Sequence, residues 1–465
     1  MNNKYNTPTI FTLLGATGDL AKKKLFPALF ELFVQEKLPE KFSIIAFARR
    51  EYSDVDFRKY VAEIIELKKA VEAEKVEFET SLKKFLAKIT YFHGDFNELE
   101  SYERLAGLLK KEADRFKVCP RRLYHLAVPP VYYENIFKNL SQSGLSLPCD
   151  DNQGWSRILV EKPFGHDLNS ARELDRLLSQ LFKPDQIYCI DHYLAKESLQ
   201  NILDFRFANK IFEPSWNNKQ IKKITITLLE KDGVGTRGNF YDGVGALRDV
   251  GQNHLLQMLA LVAMEKPEEM TAVGIREKRG EVLRSLKPLI QNADFKKTVS
   301  RAQYIGYTAE KNIAPESQTE TFFTLETEIN NERWQNVPIF LMAGKGFSQN
   351  RSFIELDFGA NTITFELQPQ EKISLKFLVK TPGLENSLEE QTLNFKHLEK
   401  ASQKKSEAYE KVLYDAIVGD QTLFPSPEEI EYSWRFITPI INHWTDLPLH
   451  KYKLGVDTDK IEFES

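Results

Sequence analysis

Thr9–Leu29 reads TIFTLLGATGDLAKKKLFPAL, and the fold turns on it. An unbroken apolar run, TIFTLLGA, ends in glycines, and the segment that follows carries Leu25, Leu29 and Leu32 at helical spacing. A buried strand, a tight turn and a helix in that order form the first half of a βαβ unit. At such a turn glycine lets backbone N–H groups approach a pyrophosphate, and the helix N-terminus adds favourable partial charge. The spacing here is Gly15-x-x-Gly18-x-x-Ala21 rather than G-x-G-x-x-G, so the context carries more of the assignment than the glycines do. A P-loop is excluded, since the Gly-Lys-Ser/Thr ending is absent.

Outward from this stretch the same rhythm continues. FSIIAFA, RRLYHLAV, SRILVEKP and QIYCID read as further buried strands, separated by amphipathic or charge-rich segments. Residues 54–90 are rich in charge and read as solvated helices. From about residue 220 the pattern changes to period-two strands, KKITITLLE, TFFTLETEI, NTITFELQP and EKISLKFLV, as in a large, mostly antiparallel sheet. The expected fold is therefore α/β followed by α+β. A Rossmann-like coenzyme domain covers 1–190, and a β+α domain for substrate and oligomerisation covers 191–465.

Composition narrows the function classes. A net charge of -4 over 465 residues gives no overall reason to expect a nucleic-acid partner. The three cysteines, Cys119, Cys149 and Cys189, fit neither a disulfide framework nor a metal pattern, so they read as reduced thiols and no metal is expected. The opening residues lack the charged and apolar regions of a signal peptide, and no segment approaches a membrane span. A soluble, cytoplasmic protein without a membrane partner is expected.

Candidate chemistry lies at strand ends. After the second strand, a site for NAD would present an acid to the ribose 2′-hydroxyl; this chain presents Arg49 and Arg50. Guanidinium suits a 2′-phosphate, which points to NADP, the alternative being two solvated surface arginines. VEKPFG and IDHYLAKE close later strands with Glu161, Lys162, Asp191, His192, Tyr193 and Lys196. The histidine, phenol and second lysine converge on one phosphate if the segment turns into a helix after Asp191. The stretch from Glu230 to His254 holds Asp249, with five glycines between Glu230 and Asp249, a pattern of backbone close to a ligand or of a mobile loop. His254 itself lies at the margin of a stripe made by Leu255, Met258, Leu259 and Val262. By itself, a histidine so placed is more often a hydrogen-bonded core residue than a base.

Together these segments resemble the glucose-6-phosphate dehydrogenase family. GATGDLAKKK, EKPFG, IDHYLAKE, RDVGQNHLLQML, NERWQNVPIFLMAGKGF and YSWRFITPI occur in the family's order between about residues 8 and 440. The resemblance implies oxidation of glucose 6-phosphate at C1 by NADP to the 6-phospholactone. It implies His254 as general base and Asp191 as its carboxylate partner, with His192, Tyr193 and Lys196 at the sugar phosphate. Lys162, Glu230, Asp249 and Lys345 would surround the sugar hydroxyls. Gly15, Thr17, Gly18, Asp19, Lys24 and Arg49 would serve the coenzyme, with Lys162 near it as well. A homodimer or homotetramer is the expected assembly. The chain departs from the family's pattern at Cys189, Ala195, Gly243 and Gly245, and at Asn350, where a basic residue is expected.

The implied chemistry suits these side chains. An imidazole titrating near neutrality accepts the C1 hydroxyl proton, and a carboxylate on its other nitrogen fixes the tautomer. Two rival readings remain at this point: another Rossmann-fold sugar oxidoreductase, or an NADP-binding regulator without turnover.

Overall fold

A computed structural model describes residues 6–69, 75–147, 155–289, 295–396 and 407–457. The chain divides into two compact units: Met1–Gly165, Arg172–Ala195 and Ser406–Pro425 form the first, and His166–Ala171, Lys196–Lys405 and Ser426–Ser465 the second. The division falls after Ala195 rather than at 190. Residues 406–425, which a linear reading assigns to the second domain, return to the first. The cause is packing at a distance: the helix Ala408–Val418 lies on the helix Phe26–Val34.

The first unit is built on six parallel strands: β1 (Thr9–Leu14), β2 (Phe42–Ala48), β3 (Ile89–His93), β4 (Arg121–Leu126), β5 (Ser156–Val160) and β6 (Ile187–Cys189). They lie in the order β3-β2-β1-β4-β5-β6. β1 and β2 are buried along their whole length, which is why they read as continuous apolar runs rather than alternating ones. The strand order reverses between β1 and β4, and ligands of open α/β sheets bind outside the carboxyl ends of the strands at such a reversal. In this sheet β3 is the strand absent from the sequence reading. It begins inside the charge-rich segment assigned to helices, which form at Asp54–Lys69 and Lys75–Leu86.

The second unit carries β7 (Lys223–Leu229), β8 (Val299–Tyr304), β9 (Phe322–Thr327), β10 (Ile339–Gly344), β11 (Arg351–Asp357), β12 (Thr362–Gln368), β13 (Lys372–Lys380), β14 (Leu388–Lys396) and β15 (Leu449–Tyr452). They form one sheet in the order β14-β13-β12-β11-β7-β10-β9-β8-β15. Only β7 with β10 and β8 with β15 pair in parallel. β11 and β12 alternate half-buried and buried residues along their length, the signature of a sheet with one covered face. The helix Leu256–Ala263 packs against the helices Glu197–Ala208 and Ala272–Arg284 and is buried on every side, so the apolar stripe read from sequence is wider than a stripe.

Cys189 is a buried thiol, whereas Cys119 is disulfide-bonded, which overturns the expectation of reduced thiols for that residue; Cys149 lies outside the described residues. Sequence spacing carries no information about which cysteines approach one another in space. Among the described residues no helix is long and apolar enough to cross a membrane. Nor does any group of three or more His, Cys, Asp or Glu side chains there have the placement to hold a metal ion.

Candidate active site

In the first unit the glycine turn sits at the strand-order reversal. Gly15 has φ +92°, and a Cβ there would lie 2.2 Å from the Ala127 carbonyl oxygen, just beyond β4, so only glycine fits. The turn closes through Gly18 N–H donating to Gly15 C=O at 2.9 Å. A π-helical turn, Ala21–Leu25, follows and then the helix Phe26–Val34, with Leu25, Leu29 and Leu32 all buried. Thr17 is partly buried, and Asp19 and Lys24 are exposed. Asp19 accepts from Lys23 at 3.0 Å, and Lys24 lies 3.8 Å from Glu407.

At the end of β2, Arg49 is held by groups the sequence reading did not single out. Its guanidinium lies 4.9 Å above the Tyr132 ring and 5.6 Å from the Phe96 ring centre, and Nη1 donates to the Tyr132 hydroxyl at 2.8 Å. Arg50 is exposed beside it.

At the ends of β5 and β6 lie Glu161, Lys162, Asp191, His192 and Tyr193. Asp191 is 3% exposed, and its Oδ1 accepts from the Tyr193 backbone N–H at 2.9 Å. That bond shapes a turn, and the helix begins only after Lys196, at Glu197–Ala208. His192 and Tyr193 therefore sit in the turn and Lys196 at the helix cap, a later start than the sequence reading supposed. Glu161 is buried against His125, whose Nε2 is 2.9 Å from its carboxylate, and against Tyr409, whose hydroxyl is 3.2 Å from each carboxylate oxygen.

The second unit gathers four of the proposed residues. Glu230 follows β7 and Lys345 follows β10; because those strands run in parallel with Leu229 opposite Gly344, the two residues emerge side by side. Lys345 forms an ion pair with Glu230 and lies 3.6 Å from Asp249. Asp249 and His254 share the π-helical segment Leu247–Leu255 and are 7% and 1% exposed. They are five residues apart, which is the backbone hydrogen-bonding interval of a π-helix. Gly251 lets this segment lie close on the sheet, since a Cβ there would meet the Phe323 ring at 2.7 Å.

Glu320, missed by the sequence reading, anchors the start of that segment. Its carboxylate accepts from Leu247 N–H at 3.0 Å and from Trp444 Nε1 at 2.8 Å, and burial raises its pKa above the usual carboxylate value. Part of the glycine-rich run before it serves packing, although Gly235 and Gly243 face open space. A Cβ on Gly245 would overlap the Glu320 carboxylate, and one on Gly238 would come within 2.2 Å of the Lys311 carbonyl oxygen. Asn350, where a basic residue was expected, accepts from Lys231 N–H at 2.8 Å.

The family model for the NAD binding domain of glucose-6-phosphate dehydrogenase matches residues 12–201, and the model for its C-terminal domain matches residues 203–461. The chain belongs to the glucose-6-phosphate dehydrogenase family. A relative named glucose-6-phosphate 1-dehydrogenase from Borreliella burgdorferi is 36% identical over 472 residues, covering 96% of this chain and 94% of the relative. A solved glucose-6-phosphate dehydrogenase, described as in complex with its substrate glucose-6-phosphate, superposes with a TM-score of 0.90 at 32% identity over 98% of this chain and 96% of that one. A second, from Mycobacterium avium, gives 0.82 at 32% identity over 97% and 95%. The family's two parts thus meet near residue 202, where the parallel sheet has ended and the second unit has begun.

Proposed function

We propose that this member of the family oxidises glucose 6-phosphate at C1 to 6-phosphoglucono-1,5-lactone with NADP. His254 accepts the C1 hydroxyl proton as the hydride leaves C1, and Asp191 orients the imidazole and stabilises its protonated form. The observation that carries this is the π-helical segment that buries both His254 and Asp249, with Asp249 3.6 Å from Lys345, in a chain with full-length likeness to the family. Lys345, Glu230, Asp249 and Lys162 hydrogen-bond the sugar hydroxyls, and His192, Tyr193 and Lys196 hold the phosphate.

The first unit fits the coenzyme: a glycine turn with no room for a side chain stands at the strand reversal, and an oriented guanidinium stands where an acid would favour NAD. Gly15, Thr17, Gly18, Asp19, Lys24 and Arg49 would hold NADP, with Lys162 beside the nicotinamide end. When bound, NADP supplies the hydride acceptor. The protein works in the cytoplasm, where a charged hexose phosphate is retained by the cost of moving it through hydrocarbon. It assembles as a dimer or tetramer. The support is the β13–β14 face, where Leu393 and Phe395 are 50% and 54% exposed opposite Leu375 and Ile373 on an edge strand.

The test is the purified protein with NADP and a panel of hexoses and hexose phosphates. Reduced-nicotinamide absorbance on glucose 6-phosphate, exceeding free glucose by orders of magnitude in kcat/KM, is expected. Comparable turnover of free glucose, or none on any phosphosugar, overturns the reading.

A further inference from the structure

Glu161 is the residue immediately before Lys162, and it is fixed at three atoms. Its main-chain carbonyl accepts from the Tyr133 hydroxyl at 2.8 Å, one carboxylate oxygen faces His125 Nε2 at 2.9 Å, and both carboxylate oxygens lie 3.2 Å from the Tyr409 hydroxyl. Tyr409 is 8% exposed and reaches this place from the returning segment Ser406–Pro425. Burial and the neighbouring Glu161 carboxylate hold its hydroxyl far above the ordinary phenol pKa, so it remains a donor to that carboxylate. The Tyr409 ring also lies parallel to the His192 imidazole, with centroids 6.0 Å apart and 16° between planes. Tyr193 approaches His192 at 5.1 Å and 57°. The imidazole is thus flanked by two phenol rings, one from its own turn and one from a segment more than two hundred residues away in sequence.

We infer that Tyr409 is a positioning residue for sugar-phosphate binding, which holds His192 by ring stacking and Lys162 through its hydroxyl bond to Glu161. The inference rests on the proposed roles of His192 and Lys162. Its physical content is that both side chains extend from turns at strand ends, where the backbone alone leaves them rotamer freedom. One phenol restrains both: its face limits the imidazole, and its hydroxyl fixes the residue from which Lys162 springs. Restraint of this kind lowers the ordering cost when substrate binds, so its loss appears in affinity for the sugar phosphate and not in affinity for the coenzyme.

The experiment compares Tyr409→Phe, which keeps the stacked ring and loses the hydroxyl, with Tyr409→Leu, which loses both. KM for glucose 6-phosphate, KM for NADP and kcat are measured on the full-length protein well below each variant's Tm. Tyr409→Leu is expected to raise KM for the sugar phosphate about five- to twenty-fold, and Tyr409→Phe about two- to five-fold, with KM for NADP changed less than about two-fold. In a His192→Ala background the excess effect of Leu over Phe should vanish, because the ring it acts on is gone. An unchanged KM for the sugar phosphate in both variants overturns the inference, as does an equal rise in both KM values. If Tyr409→Leu does not fold, Tyr409→Phe decides by the same selective rise. His192→Ala alone separates the two levels: if it leaves KM for the sugar phosphate unchanged, the proposed phosphate site fails, and if it raises KM while the Tyr409 variants do not, only the role of Tyr409 fails.

Discussion

Two π-helical segments, Ala21–Leu25 in the first unit and Leu247–Leu255 in the second, put polar side chains next to the proposed coenzyme and sugar sites in opposite environments. In the first, Lys22, Lys23 and Lys24 all face solvent. In the second, Asp249 and His254 are buried, and Asp249 lies 3.6 Å from a Lys345 that is itself 3% exposed. Water solvates the lysines and screens their charge, so each contributes little and can be replaced cheaply. The buried groups depend on each other, because a charge out of water requires a fixed partner. The same backbone irregularity therefore serves a tolerant, solvated surface in one place and a buried, charge-paired cluster in the other.

The sharpest test of that contrast is His254→Asn. Loss of a general base lowers rates by about 10²- to 10⁴-fold, so kcat should fall by that order while the binding of sugar phosphate and coenzyme largely survives. Asp191→Asn should do similar damage by stabilising the wrong tautomer. The double variant decides whether they form one unit: it should be scarcely slower than His254→Asn alone. Losses that multiply would show independent action. Near-normal turnover of His254→Asn combined with a lower Tm would make the histidine a core residue and break the comparison.

Lys345→Met should give the next largest effect, and on stability as well as activity. It removes the ammonium that faces both Glu230 and Asp249. Glu230 is 35% exposed and can turn to water, but Asp249 is buried, so the cost should approach that of breaking a buried pair, up to about 3 kcal/mol and about 5 °C or more in Tm. An unchanged Tm would mean that Asp249 is carried by its other neighbours.

The contrast also marks what could be read from the sequence. The strand–turn–helix at Thr9–Leu29 was legible because every determinant is local: an apolar run, glycines at the turn, leucines at helical spacing. β3 was not, since Ile89–His93 is short and half-polar and is defined by its pairing with β2. Arg49 stood out because its position after a strand is a local fact. Tyr132, which orients it, did not, because nothing near Tyr132 in the chain points to residue 49. Glu161 and Tyr409 are further apart still, and no periodicity connects them. His254 read as a residue at the margin of a stripe. The π-helical segment it shares with Asp249 is a backbone property tied to close packing on the sheet, where Gly251 lies against Phe323.

A buried carboxylate in the first unit extends the comparison to pH. Burial pushes the Asp415 pKa from 3.8 up to about 6, and Lys411, only partly buried at 2.5 Å, offsets this incompletely. A folded-state value raised above the unfolded one means that the stability associated with the neutral acid is complete below about pH 4 and is lost as pH rises through 6. Asp415→Asn stays neutral throughout, so its Tm relative to the parent should climb between pH 4 and pH 6 and level off above, by an amount on the order of 3 kcal/mol at most. A Tm difference that is flat across that range would place the carboxylate in better-solvated surroundings.

The smallest effects belong to the exposed turn and its neighbour at the end of β2. Arg49→Ala should raise KM for NADP about ten-fold or more while leaving NAD little changed, since only NADP has a 2′-phosphate to lose. An equal loss for both coenzymes would mean that the arginine, held over Tyr132, supports something common to them. Lys24→Ala should do less. Its pairing with Glu407 at 3.8 Å is half exposed on both sides, and exposed ion pairs of that kind contribute little or nothing measurable, so Tm should stay within about 1 °C. Any role in catalysis is then confined to coenzyme charge, which gives a rise in KM for NADP of less than about five-fold that shrinks further as salt is raised from 0.05 to 0.5 M by order of magnitude. A loss that persists undiminished at high salt would contradict the solvated character of this turn, because only a desolvated contact escapes screening.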